Sequence, residues 1–127
     1  MVSPSDNFFF AKSINLIKAK DWNECVGLDH PFTRYEFLAA EICCLNIIAS
    51  LRKSINGDWN RLENFVKLGG FVNCKEGYSN QPKIINGASD LLVKIFGEQG
   101  KHTRFAVGSN SLPMNIAVEI DAIIKII

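Results

Sequence analysis

The sequence predicts an α+β domain in which a mixed sheet carries two helices on one face. Three observations lead there. Residues 116–127, IAVEIDAIIKII, alternate with the period of two that a strand requires. Residues 33–54 and 81–96 instead repeat their apolar positions at intervals of three and four, the spacing of a one-sided helix. Segments bearing glycine and proline separate these runs in the order β(β)–α–β–α–β–β.

In chain order, residues 1–6 read as a tail. Residues 7–19 read as one strand or two short ones, through Phe8, Phe10, Ile14 and Leu16. The Phe8-Phe9-Phe10 run suits packing against a helix better than an aromatic binding box. Residues 20–32, with Gly27 and Pro31, read as loop. Thr33-Arg34-Tyr35-Glu36 has the S/T-x-x-E form of a capping box. Phe37, Leu38, Ile42, Leu45, Ile48, Ala49 and Leu51 continue it as an apolar stripe, and Asn56-Gly57 is a stop signal. Trp59 and Leu62 are expected to pack under the connection.

Residues 65–73, FVKLGGFVN, read as a strand whose Gly69-Gly70 pair marks a bulge or a close approach by another backbone. A turn over 73–80 leads to the second helix, 81–96, with Pro82 in its first turn and Gly97 after its end. Its apolar line is Ile84, Ala88, Leu91 and Ile95, flanked by Ile85, Leu92 and Phe96. Gly87 inside it points to tight helix-on-sheet packing. The next strand puts Arg104, Ala106 and Gly108 on one face. After a turn with a Leu112-Pro113 step, the last strand puts Ile116, Val118, Ile120, Ala122, Ile124 and Ile126 on one face and Glu119 and Asp121 on the other.

Composition bounds the function. The 127 residues make one domain, and 47% hydrophobic content supports a core. A domain this small buries about two-thirds of its unfolded surface, so self-association would help it. With 14 basic and 13 acidic residues the net charge is +1, which offers no electrostatic attraction to nucleic acid or an anionic membrane. No apolar run is long enough for a transmembrane helix. The opening MVSPSDNFFFAK lacks the basic and apolar regions of a signal peptide. Cys43 and Cys44 are adjacent, Cys25 and Cys74 stand alone, and no C-x-x-C occurs, so zinc and redox motifs are not expected. Reduced thiols in a cytoplasmic protein are.

Arg104 is the first candidate for chemistry. An arginine between small neighbours can clamp a carboxylate bidentately, although a surface salt bridge would use the same residue. Glu119 and Asp121 share their face with Ile123 and Ile127. Such a setting suits a general base, while solvent-exposed acids give the same pattern. His30 and His102 fall in expected loops with no serine or cysteine placed to partner them. Asn86 lies on the second helix, on its surface or near a site at the sheet edge.

The segment QPKIINGASDLLVKIFGEQGKHTRFAVGSNSLPMNIAVEIDAI, residues 81–123, resembles the C-terminal signature of the reactive-intermediate deaminase family, RidA or YjgF, formerly called endoribonuclease L-PSP. The shared pattern is arginine, a small residue two positions on, a leucine-proline step and V/I-E-I-D/E-A-I. FVKLGGFVN and EFLAAEICCLNIIASL fit the same family, so the resemblance covers residues 33–126, with 1–32 an atypical N-terminal region. It implies a chorismate-mutase-like (ferredoxin-like) two-layer fold and a homotrimer with a cleft at each subunit interface. It also implies metal- and cofactor-free hydrolysis of 2-imino or enamino acids to 2-keto acids and ammonia. By the same resemblance Arg104 binds the substrate carboxylate, Glu119 positions the water, and Asn86 and Ala106 line the site. Ala106 stands where the family commonly has cysteine. A non-catalytic trimer that binds keto or amino acids is the alternative. The older ribonuclease naming is disfavoured by the balanced charge and the lack of a basic-aromatic surface pattern.

Overall fold

The structure, a computed structural model, describes residues 18–20 and 35–127. Helix α1 spans Tyr35–Ser54, strand β1 Leu62–Asn73, helix α2 Gln81–Phe96, strand β2 Thr103–Ser109 and strand β3 Val118–Ile126. The strand expected over 7–19, the loop over 20–32, the Phe8–Phe10 run, His30, Cys25 and the Thr33-Arg34 half of the capping box lie outside the described residues, apart from Lys18, Ala19 and Lys20. Of these, Ala19 and Lys20 are helical rather than extended or looped.

The stop expected at Asn56-Gly57 forms as a left-handed cap. Asn56 (φ 53°) and Gly57 (φ 78°) turn the chain. Their N–H groups donate to the carbonyls of Lys53 at 3.2 Å and Arg52 at 2.8 Å, satisfying groups that the helix end leaves orphaned.

Among the described residues the sheet is three-stranded in the order β2-β1-β3. β1 runs parallel to β2 and antiparallel to β3. Connecting two parallel strands needs a crossover, and α2 supplies it. Both helices pack on one face, where Ala40, Cys44, Leu51, Ile84, Ile85, Ala88 and Leu92 join Phe65, Leu68, Val72 and Val118 in a single core. The expected α+β architecture is the observed one.

Three local expectations are corrected. The irregularities of β1 lie upstream of its glycines, between Leu62 and Asn64 and between Phe65 and Lys67. Each adds a residue to β1, so Leu62, Phe65 and Leu68 all reach the core although spaced by three. Gly69-Gly70 instead marks close approach, by side chains rather than backbone. A Cβ on Gly69 would collide with the Asp121 carboxylate and the Phe105 ring on the open face. One on Gly70 would stand 2.5 Å from Ile85 Cδ1 on the helix face.

Gly87 packs helix against helix, not helix against sheet: a Cβ there would stand 2.6 Å from the Phe37 carbonyl oxygen of α1. α2 turns inward the side expected, with Ile84, Ile85, Ala88 and Leu92 buried, whereas α1 buries Phe37 and Leu51 of its expected stripe but not Ile42 and Leu45. Ala40 and Cys44 on α1, and Gly87, Ala88 and Ser89 on α2, take the buried centre. Ile42, Leu45 and Ile95 face outward. Small residues allow the close crossing, and large apolar residues then sit at its margins.

Leu62 opens β1 and is buried, whereas Trp59 is partly exposed and tilts against Phe96 at 5.6 Å between ring centroids. Phe96 also meets Phe65 at 5.2 Å, closing the end of the core.

Candidate functional site

β2 carries the candidate arginine at the sheet edge. Arg104 pairs in register with Leu68 of β1, a fully buried residue facing the helices, so Arg104 leaves the same face and reaches α2. Its Nη1 donates to Ser89 Oγ at 3.0 Å. Ser89 is 9% exposed and lies 3.0 Å from His102 Nε2. His102 Nδ1 lies 2.7 Å from the Gly100 carbonyl.

The direction of each bond follows. A carbonyl only accepts, so His102 Nδ1 carries the proton and, in the neutral ring, Nε2 accepts. The Ser89 hydroxyl therefore donates to His102, which turns its lone pairs toward the Arg104 N–H. Sequence reading placed His102 on the surface without a hydroxyl partner. The structure corrects this, because Ser89 and His102, 13 residues apart, meet where α2 packs beside the start of β2. The signal present in the sequence was a serine in the apolar centre of a helix.

The space expected in front of Arg104 is only partly there. Ala106 packs against the core. At Gly108 a Cβ would stand 2.6 Å from Cys74 Sγ and 2.8 Å from Gln81 Nε2, so those side chains occupy that end. Asn86 is half-buried on α2, three residues before Ser89 and so on its side of the helix. Arg104, Ala106 and Asn86 thus share one side of the sheet.

Glu119 does not join them within one chain. Its register partner is Phe71, which faces away from the helices. With β1 between them and a stagger of three residues, Arg104 and Glu119 are roughly 14 Å apart and project from opposite faces. Glu119 and Asp121 are both exposed, as is Ile123, so of the two settings the sequence allows for the acids this chain forms the solvent-exposed one. Asp121 lies over Gly69 beside Phe105, whose ring also meets Phe71 at 5.4 Å and Lys67 Nζ at 5.0 Å.

A separate groove of about 630 Å³ runs between α1 and β3, lined in part by Cys43, Asn46, Ser50, Glu119 and Ile120. Cys43 Sγ lies 3.8 Å from the Val118 carbonyl, and burial, with a smaller push from the Glu119 charge, raises its pKa. Cys43, Cys44 and Cys74 are free thiols. Among the described residues no group of three or more His, Cys, Asp or Glu is placed to hold a metal ion, and no helix is long and apolar enough to cross a membrane.

A mixed sheet backed by two helices, with an arginine on its parallel edge strand, defines a chorismate-mutase-like α+β protein. Residues 18–124 match the family described as "YjgF/chorismate_mutase-like, putative endoribonuclease", and the chain belongs to that family. It is 40% identical over 89 residues to Protein TCP17 of Trypanosoma cruzi, covering 69% of this chain and 55% of that protein. Among solved structures it resembles the protein Atu1372 of Agrobacterium tumefaciens, of unknown function. That match has a TM-score of 0.70 and 45% identity, over 72% of this chain and 58% of the other. It also resembles "a putative endoribonuclease" from Shewanella oneidensis MR-1, with a TM-score of 0.67 and 31% identity, over 71% and 59%. The chain thus spans little more than half the length of each of these relatives.

Proposed function

We propose that this protein binds small 2-imino and 2-keto carboxylates at Arg104 and hydrolyses the imine or enamine to a 2-keto acid and ammonia. The placement of Arg104 carries the reading. It is an exposed guanidinium on an edge strand, and among the described residues one N–H is committed to Ser89 while the others remain open to a carboxylate. Asn86 and Ala106 form the near wall. An imine carbon is already electrophilic, so holding substrate and water in position is the main catalytic demand. The water oxygen adds to that carbon, a proton passes to the nitrogen, and the C–N bond breaks to release ammonia. Glu119 is the group that holds the water.

Since Arg104 and Glu119 leave opposite faces of one sheet, a productive site takes Arg104 from one copy of the chain and Glu119 from another. A homotrimer with a cleft at each boundary would bring them together. The same separation favours a second reading, a non-catalytic binding module, wherever assembly fails to pair the two residues. The endoribonuclease description belongs to the family and the Shewanella protein. The balanced charge of this chain offers no net electrostatic attraction to nucleic acid to support it here.

The test is the rate of keto-acid release from an imine generated in situ by a pyridoxal-phosphate dehydratase. The purified protein should accelerate release, and Arg104→Ala should remove the acceleration, a loss of about a hundredfold or more. No acceleration by the wild-type protein would overturn the deaminase reading.

A further inference from the structure

We propose that Ser89 and His102 are positioning residues for Arg104, forming a relay that fixes the orientation of its guanidinium for an anionic ligand. The inference builds on the reading of Arg104 as a carboxylate clamp.

The relay runs from the Gly100 carbonyl through His102 and Ser89 to Arg104 Nη1, over 2.7, 3.0 and 3.0 Å. Each member has one consistent role. Gly100 accepts, His102 donates through Nδ1 and accepts at Nε2, and Ser89 donates to His102 while accepting from Arg104. The anchor is held by packing: a Cβ on Gly100 would collide with the Leu92 carbonyl of α2, so only glycine brings this carbonyl so close to the helix. Ser89 occupies a buried helical position that alanine would suit better by propensity, so its hydroxyl has a use there other than forming the helix. The Ser89–His102 pair is not arranged as nucleophile and base. The hydroxyl is buried at 9% exposure, and the guanidinium donates into its lone pairs. Arg104 is otherwise a long flexible side chain on an exposed edge strand. Tying one nitrogen to a buried point removes much of that freedom before a ligand arrives.

Nitrogen-15 NMR of the intact chain, with pyruvate as the binding probe, tests this. In the wild-type protein His102 should carry its proton on Nδ1, and the Arg104 guanidinium signals should be resolved. In Ser89→Ala and His102→Phe those arginine signals should collapse to those of a freely rotating side chain, and Ser89→Thr, which keeps the hydroxyl, should restore them. Pyruvate should bind Ser89→Ala about tenfold more weakly than wild type, with Ser89→Thr in between. A His102 proton on Nε2, or Arg104 signals unchanged in Ser89→Ala, overturns the relay. Equal pyruvate affinity in wild type and Ser89→Ala overturns the positioning role alone. Wild-type protein that shows the relay yet binds no pyruvate overturns the carboxylate reading of Arg104 alone.

Discussion

Arg104 and Glu119 stand on the two strands that flank β1 and project from opposite faces of the sheet. A site that uses both must therefore cross a boundary between copies. Arg104→Ala and Glu119→Gln should each be inactive alone. Co-refolded in equal amounts, they should recover about a quarter of wild-type activity, since that share of boundaries pairs an intact arginine with an intact glutamate in a closed symmetric assembly. A site built within one chain would recover none, and imine hydrolysis by the mixed sample separates the two cases.

The crossing of α1 and α2 gives a stability prediction. A methyl group at Gly87 would meet the Phe37 carbonyl oxygen, a backbone atom with no rotamer to yield. Gly87→Ala gains about 1 kcal/mol of helix propensity but overpacks the crossing against a backbone atom, with a net loss of about 1–2 kcal/mol. Thermal denaturation should show a melting temperature lower by several degrees, and an unchanged value would mean that the helices are farther apart.

Asn73 ties the end of β1 to the turn before β3. Its Nδ2 donates to Asn115 Oδ1 at 3.2 Å and to the Ile116 carbonyl at 3.0 Å. The turn holds Met114 and Asn115 at φ 55°, a strained conformation for a methionine. Asn73→Ala should cost about 1 kcal/mol and speed amide exchange at Asn115 and Ile116, whose N–H groups bond within the turn. Exchange at the wild-type rate would show that the side chain does not hold the turn.

The thiols respond to pH in a definite direction. Burial, with smaller contributions from Glu41 and Cys43, pushes Cys44 from the ordinary 9.0 up to about 11. The folded state keeps this proton while the unfolded chain loses it, so the stability is present below pH 9.0 and falls as pH rises toward about 11. At pH 8 only about one part in a thousand of Cys44 is thiolate. Iodoacetamide should leave Cys44 unmodified in the native protein, and mass spectrometry would detect its labelling if this region opened.

The close fit around the helix crossing shows where reading the sequence stopped. Large apolar residues at helical spacing located both helices, and the second spans Gln81–Phe96 as expected. They showed the inward side of the second helix, through Ile84, Ala88 and Leu92, but not that of the first, where hydropathy weights Ile42 and Leu45 above Ala40 and Cys44. Shape decides that question, and shape needs the partner helix. In the same way Gly69-Gly70 announced close approach, while the atoms approaching, from Asp121, Phe105 and Ile85, come from three other elements.

The alternation of residues 116–127 determined a strand with its acids on one face, and the pattern around Arg104 determined the family to which the chain belongs. Both are local properties, fixed by side-chain period and short spacing. Tertiary structure alone decided that Arg104 faces the helices while Glu119 faces away, and that Ser89 and His102 stand beside the arginine. Those relationships depend on strand register and on the crossover that returns α2 to β2, and neither is encoded in any one stretch of the chain.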